Sequence, residues 1–196
     1  METYLAHMLE VFVTLLIIVD PFLSLAVFIS LTKKMKSSER AAQALLACGV
    51  ALGLLIVFLF VGAPLLKVLG IDMASFKVAG GVILLLMGIQ SVLGIEFGKQ
   101  GDYKVAAVVI GTPLMSGPGA LTSIIIYAEK FGYTIPLIAS IVVIAITWVM
   151  LAFSDRISRW LGDRMLEVLS RVLGLILAAL SVGFIRDGVV EMIHAF

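Results

Sequence analysis

Val19-Asp20-Pro21-Phe22-Leu23-Ser24 interrupts an apolar run that extends from about Tyr4 to Leu31. A helix needs ~20 mostly apolar residues to cross a bilayer core. This run is long enough, yet it carries a carboxylate and a proline deep within it. Pro21 lacks an N–H, and its ring clashes with the preceding turn. Asp is a good N-cap, and Pro is favoured at the first helical position. The hexapeptide therefore predicts that one helix stops and another starts inside the membrane. Non-helical backbone persists at that depth only where protein buries it or where it lines a wet cavity.

A second interruption, Thr112-Pro113-Leu114-Met115-Ser116-Gly117-Pro118-Gly119, breaks the apolar stretch Val105 to Ala128. Two starts are open here. Thr112 caps a helix beginning at Pro113, or Ser116 or Gly117 caps one beginning at Pro118. Four further stretches read as spans: Ala41 to Leu66, which has no charge, Val78 to Ile95, Phe131 to Ser154, and about Val172 to His194. The total is six.

The halves repeat each other. Asp20-Pro21-Phe22-Leu23-Ser24 aligns with Thr112-Pro113-Leu114-Met115-Ser116 at an offset of 92, as does Leu69-Gly70 with Leu161-Gly162. At an offset of 94, Val78 to Leu84 aligns with Val172 to Ala178, and Gly94 with Gly188. Each unit holds three spans, so the second is inverted in the bilayer. Loop charge gives the same orientation independently. Lys33, Lys34, Lys36, Arg40, Lys99, Lys104, Arg156, Arg159, Arg164 and Arg171 fall in the odd-numbered loops, while the other side has only Lys67, Lys77 and Lys130. Basic loops stay cytoplasmic. The expected fold is an all-α membrane protein of six transmembrane helices, two inverted three-helix repeats with discontinuous helices 1 and 4. Residues 1–196 form a single transmembrane domain, with repeat one at about 4–95 and repeat two at about 104–194. The chain is multi-pass in the cytoplasmic membrane, with both termini outside. The amphipathic segment 155–171 is read as including an interfacial turn of helix.

Composition supports this class. Hydrophobic residues make up 62% of the chain, charged residues 14%, and the mean hydropathy is +1.19. Soluble domains are ~45–50% apolar and ~25% charged. A net charge of +1 leaves no basic stripe for nucleic acid. One cysteine, Cys48, and two terminal histidines, His7 and His194, build no metal centre. No nucleophile–base pair is evident at membrane depth, so the chain is not read as an enzyme. It has no P-loop, so the energy for any pumping should come from a gradient.

Inverted repeats with matched broken helices point to a transporter whose site lies near the midplane. Half-helix N-termini attract a carboxylate. Freed carbonyls and Asp20 attract an ammonium group or a cation. A small zwitterion matches both ends. The candidate substrate-binding residues are Asp20, Pro21, Phe22, Ser24, Thr112, Pro113, Ser116, Gly117, Pro118 and Gly119. Asp20, Gln90, Ser91 and Asp187 are candidate coupling or cavity polar residues; Gln90 and Ser91 are read mainly as making helix-to-helix hydrogen bonds. Arg186 and Asp187 are read mainly as interfacial anchors, Asp187 inward and Arg186 outward. Gly49 and Gly53 form a GxxxG pattern read as packing within the monomer rather than at a dimer face.

Taken together, Val19-Asp20-Pro21 with Ser24, Lys77-Val78-Ala79-Gly80-Gly81, Thr112-Pro113-Leu114 with Ser116-Gly117-Pro118, and Arg171-Val172-Leu173-Gly174 through Asp187-Gly188 resemble the MarC family of integral membrane proteins. That family includes the SnatA-type transporters of small neutral amino acids. Members often carry Gly at the position of Leu23, Asn at Ser24 and Pro at Ala26, so the first break here has one proline instead of two. The resemblance implies discontinuous first and fourth helices around a glycine- or alanine-sized site. It also implies secondary transport coupled to a cation, H+ or Na+, without a cofactor. The expected partners are a small neutral amino acid and membrane lipid, with a homo-oligomer open. The alternative is a channel, or a structural, partner-binding membrane protein without coupled transport.

Overall fold

The computed structural model describes residues 2–32, 35–94 and 115–194. Every regular element among them is a helix: α1 (Glu2–Val19), α2 (Pro21–Thr32), α3 (Ser37–Val68), α4 (Met73–Leu93), α5 (Pro118–Phe131), α6 (Thr134–Ala152) and α7 (Ser154–His194). Five segments are long and apolar enough to cross a membrane: Thr3–Ile29, Ser38–Val68, Met73–Leu93, Thr134–Ala152 and Arg164–His194. They correspond to expected spans one, two, three, five and six. The expected fourth span, Val105 to Ala128, begins outside the described residues. Its described part opens α5, whose 14 residues are fewer than the ~20 a crossing needs.

Local chemistry sets the ends. Asp72 caps α4: its carboxylate accepts from the Ser75 backbone N–H and from the Ser75 hydroxyl, both at 2.7 Å. These bonds hold the exposed Asp72 carboxyl below its usual range. Gly94 closes α4 at φ 66°, a left-handed conformation that costs glycine little. α7 leaves helical geometry at Gly162, with φ 72° and ψ 157°. The turn of helix expected within 155–171 is thus the short arm of α7 before Gly162, and the apolar span follows the bend.

The buried core runs through Val11, Leu15, Leu25, Phe28, Leu55, Leu59, Leu84, Met115, Ile124, Leu151 and Leu166. Cys48 is buried among these side chains. Large apolar groups also cover the outside, including Leu5, Leu45, Val68, Leu86, Leu175 and Ile193. An apolar exterior over long helices is what lipid contact requires.

α4 and α7 pack together most extensively, and they run antiparallel. A Cβ on Gly88 would lie 2.8 Å from both Gly174 O and Ala178 N, and one on Gly188 would lie 2.7 Å from Ala74 O. Glycine here lets two backbones touch. α3 lies against α5 and α6, α1 against α5, α6 and α7, α2 against α6 and α7, and α4 against α5. The GxxxG reading of α3 needs correction. Cβ atoms on Gly49 and Gly53 would meet nothing within 4 Å, so this pair packs on no other described helix. The glycine of α3 that does is Gly62, where a Cβ would lie 2.4 Å from the Ile125 side chain.

Candidate functional site

The first interruption forms as the sequence predicts. α1 ends at Val19, α2 starts at Pro21, and Asp20 between them takes φ 40°. Asp is among the residues that tolerate a positive φ. The Asp20 N–H still donates to Leu16 O at 3.2 Å, so Asp20 finishes α1. Its carbonyl accepts from Ser24 N at 3.0 Å, and its Oδ1 accepts from Leu23 N at 3.1 Å, so it also opens α2. Pro21 offers no N–H to the last turn of α1. The buried Ser24 hydroxyl partly compensates by donating to Val19 O at 3.1 Å. Phe22 is half-buried and packs on the core.

The second oxygen of Asp20 reaches across the fold. Oδ2 accepts from the Ser170 hydroxyl of α7 at 2.6 Å. Ser91 of α4 donates its own hydroxyl to Ser170 O at 3.0 Å and lies 3.3 Å from Ser170 Oγ. A carboxylate that accepts several hydrogen bonds is held firmly even when buried. Beside it lies a cavity of about 30 Å³, lined by Ile17, Ile18, Val19, Asp20, Leu23, Met87, Ser91, Gly174 and Leu177. One water needs roughly 10–15 Å³ of such room. The cavity therefore holds a water or two and is too small for an amino acid.

The second interruption is described from Met115 onward; Thr112 and Pro113 lie outside the described residues. Met115, Ser116 and Gly117 are buried and not α-helical. Gly117 is the N-cap of α5, and Pro118 is its first residue. A start at Pro118 therefore forms; the other start left open by the sequence, at Pro113, lies outside the described residues. The cap residue has no side chain, in contrast to Asp20 at α2. Leu121 N bonds Gly117 O at 3.1 Å. The N–H groups of the buried residues Gly119 and Ala120 precede it and fall among the orphan donors of a helix start. Gly119 lets Leu84 pack close: a Cβ there would lie 2.4 Å from the Leu84 side chain, which would have to shift.

α1 and α5 bring the two interruptions to one level. Their contacts run antiparallel: the ring of His7 stacks on Phe131 at 4.2 Å, Glu10 pairs with Lys130 at 2.9 Å, and Tyr127 donates to Thr14 Oγ1 at 3.0 Å. Continued in that register, the first turn of α5 faces the end of α1. Ser123, on the same face of α5 as Gly119 and Tyr127, is fully buried, and its hydroxyl has no hydrogen-bond partner among the described residues.

The remaining expected residues scatter. Ser91 lines the cavity, but Gln90 does not. Asp187 is exposed and pairs with its neighbour Arg186 at 2.8 Å, so the inward orientation expected for it is corrected. Next to a guanidinium at the end of its span, a carboxylate has a partner without entering the core. Pro118 lines a separate, more open groove of about 260 Å³ with Phe58, Gly62, Phe76, Leu121 and Ile125 among others. Among its described lining residues Thr122 is the only polar side chain. Sequence reasoning missed Ser170. A lone serine in an amphipathic segment has no local signal; only the α2–α7 packing gives it a role.

Comparison with known proteins adds one finding of descent. A family profile described as MarC family integral membrane protein matches residues 5–193. A UPF0056 membrane protein of Aquifex aeolicus is 30% identical, with 98% of this chain and 97% of the relative covered. One of Methanocaldococcus jannaschii is 29% identical over 94% of this chain and 97% of its own length. The UPF0056 inner membrane protein MarC of Citrobacter koseri is 26% identical over 94% of each chain. No solved structure matches.

Proposed function

This chain belongs to the MarC family of integral membrane proteins, and from that premise we propose that it is a secondary active transporter of small neutral amino acids. It moves glycine or alanine across the cytoplasmic membrane by alternating access, coupled to a proton or sodium gradient. One observation carries the reading: α1 and α5 pack antiparallel in a register that, continued, sets the two helix interruptions at one level, one bearing a buried carboxylate and the other a helix start with no side-chain cap. The pairing suits a zwitterion. At α2 the Leu23 N–H is already taken by Asp20. The substrate carboxylate therefore goes to the first turn of α5, at Gly117 to Gly119, where the dipole end favours an anion. Ser116, buried just before that turn, belongs to the same site. The substrate ammonium goes to Asp20, with Pro21, Phe22 and Ser24 shaping that side.

The six-span inverted repeat belongs to this proposal. The helices that repeat each other, α4 and α7, cross antiparallel, as a two-fold axis in the membrane plane requires. Other contacts come as symmetry mates. Span one on span five (α1 with α6) has its counterpart in span four on span two (α5 with α3), and span three on span four (α4 with α5) in span six on span one (α7 with α1 and α2). Both termini are outside in this reading, because the basic loops follow spans one, three and five.

Uptake of radiolabelled glycine or alanine by proteoliposomes under an imposed proton or sodium gradient tests the proposal. Saturable, gradient-driven accumulation is expected. Absence of uptake across a panel of small amino acids, or flux that never saturates, overturns it.

A further inference from the structure

Ser170 belongs to α7, in the second half of the chain, and Asp20 to the break in the first half. Their side chains meet at 2.6 Å, although 150 residues separate them. Both are buried, at 6% and 7% exposure. Asp20 Oδ1 serves its own helix through Leu23 N, so Oδ2 is the oxygen that faces the other half. Ser91 supports Ser170 from behind by donating to its carbonyl at 3.0 Å. The adjoining cavity of about 30 Å³ leaves no room for an ammonium-bearing guest while this contact is made. α7 also contains a bend close by. Gly162 has φ 72°, a backbone conformation that glycine adopts at little cost, and a Cβ there would meet no described atom within 4 Å.

We propose that Ser170 is a positioning residue that stands in for the substrate ammonium. Its hydroxyl occupies Asp20 Oδ2 in this arrangement, and an incoming amino acid displaces it as α7 moves away. The bond between halves is then made and broken once per cycle. It couples occupancy of the first interruption to the position of the second half. The inference rests on the transport reading above and deepens it.

The test is alanine uptake into proteoliposomes by wild type, Ser170→Ala and Ser170→Thr. Ser170→Ala removes a competitor for Asp20, so its KM is expected to fall by roughly two- to tenfold, the equivalent of one net hydrogen bond. Ser170→Thr keeps the hydroxyl and is expected to keep the wild-type KM. A hydroxyl that merely braces the fold gives a different result: Ser170→Ala lowers the melting temperature while KM stays the same, and that result overturns the inference. A raised KM in Ser170→Ala overturns it too. If Ser170→Ala does not yield folded protein, Ser170→Cys replaces it: as a weak donor, its thiol should lower KM, and an unchanged KM overturns the inference. Failure of the transport reading is distinguishable, because wild type itself then takes up nothing.

Discussion

Asp20 performs three tasks with one side chain. It ends α1, caps α2 through Leu23 N, and accepts from Ser170. Asp20→Ala removes a cap and strands a buried hydroxyl, so a loss of roughly 2–4 kcal/mol is expected from unfolding in mixed micelles. Asp20→Asn keeps the cap acceptor and should lose less. Both should abolish gradient-driven uptake, since neither offers a charge to an ammonium group. Asp72 gives a different prediction, outside the membrane. Its carboxyl is held below the usual range by the Ser75 N–H and hydroxyl. Its contribution is therefore present above the unfolded pKa and lost as pH falls through the lower folded value. Melting curves recorded from pH 6 down to pH 3 should show a loss that Asp72→Ala lacks. The role of Asp20 was readable from Asp-Pro alone, because caps are local. The role of Ser170 was not, because its partner is distant in sequence.

At the level of elements, glycine decides which helices touch. Gly88→Ala would drive a methyl group into Gly174 O and Ala178 N, both backbone atoms that cannot rotate away. Overpacking of this kind costs about 1–3 kcal/mol. Gly49→Ala meets no atom within 4 Å. It should instead stabilise α3 by roughly 0.5–1 kcal/mol, from helix propensity alone. Comparing the two variants by thermal unfolding in one detergent checks both signs. The all-helical class, five of the expected spans and the first break were legible, since apolar length and Pro placement are one-dimensional. That the GxxxG pair touches no other described helix was not, because small residues look alike whether or not a neighbour covers them. For Asp187 only the inward orientation failed, because the rarity of membrane carboxylates says nothing about a partner one residue away.

Across the whole molecule, ion pairs tie the first half of the chain to the second. Glu10–Lys130 and Lys77–Glu191 lie toward the end of the bundle where α1 begins, and Arg40–Asp155 toward the opposite end. Exposed pairs are worth only about 0–1 kcal/mol, so they mark the seam between halves without locking it. A covalent link across that seam behaves differently. Replacing Glu10 and Lys130 by cysteines and joining them with a short bifunctional maleimide should stop uptake. A cleavable linker should restore it on reduction. Which residues face each other across that seam came only from packing.

Cys48 lies inside the bundle, and the chain has no second cysteine. To a water-borne reagent the native protein is chemically silent at sulfur. Nitroxide or fluorescent probes placed at two chosen surface positions would report a distance against almost no background. The burial of one small side chain thus makes this molecule a ready ruler for its own motion.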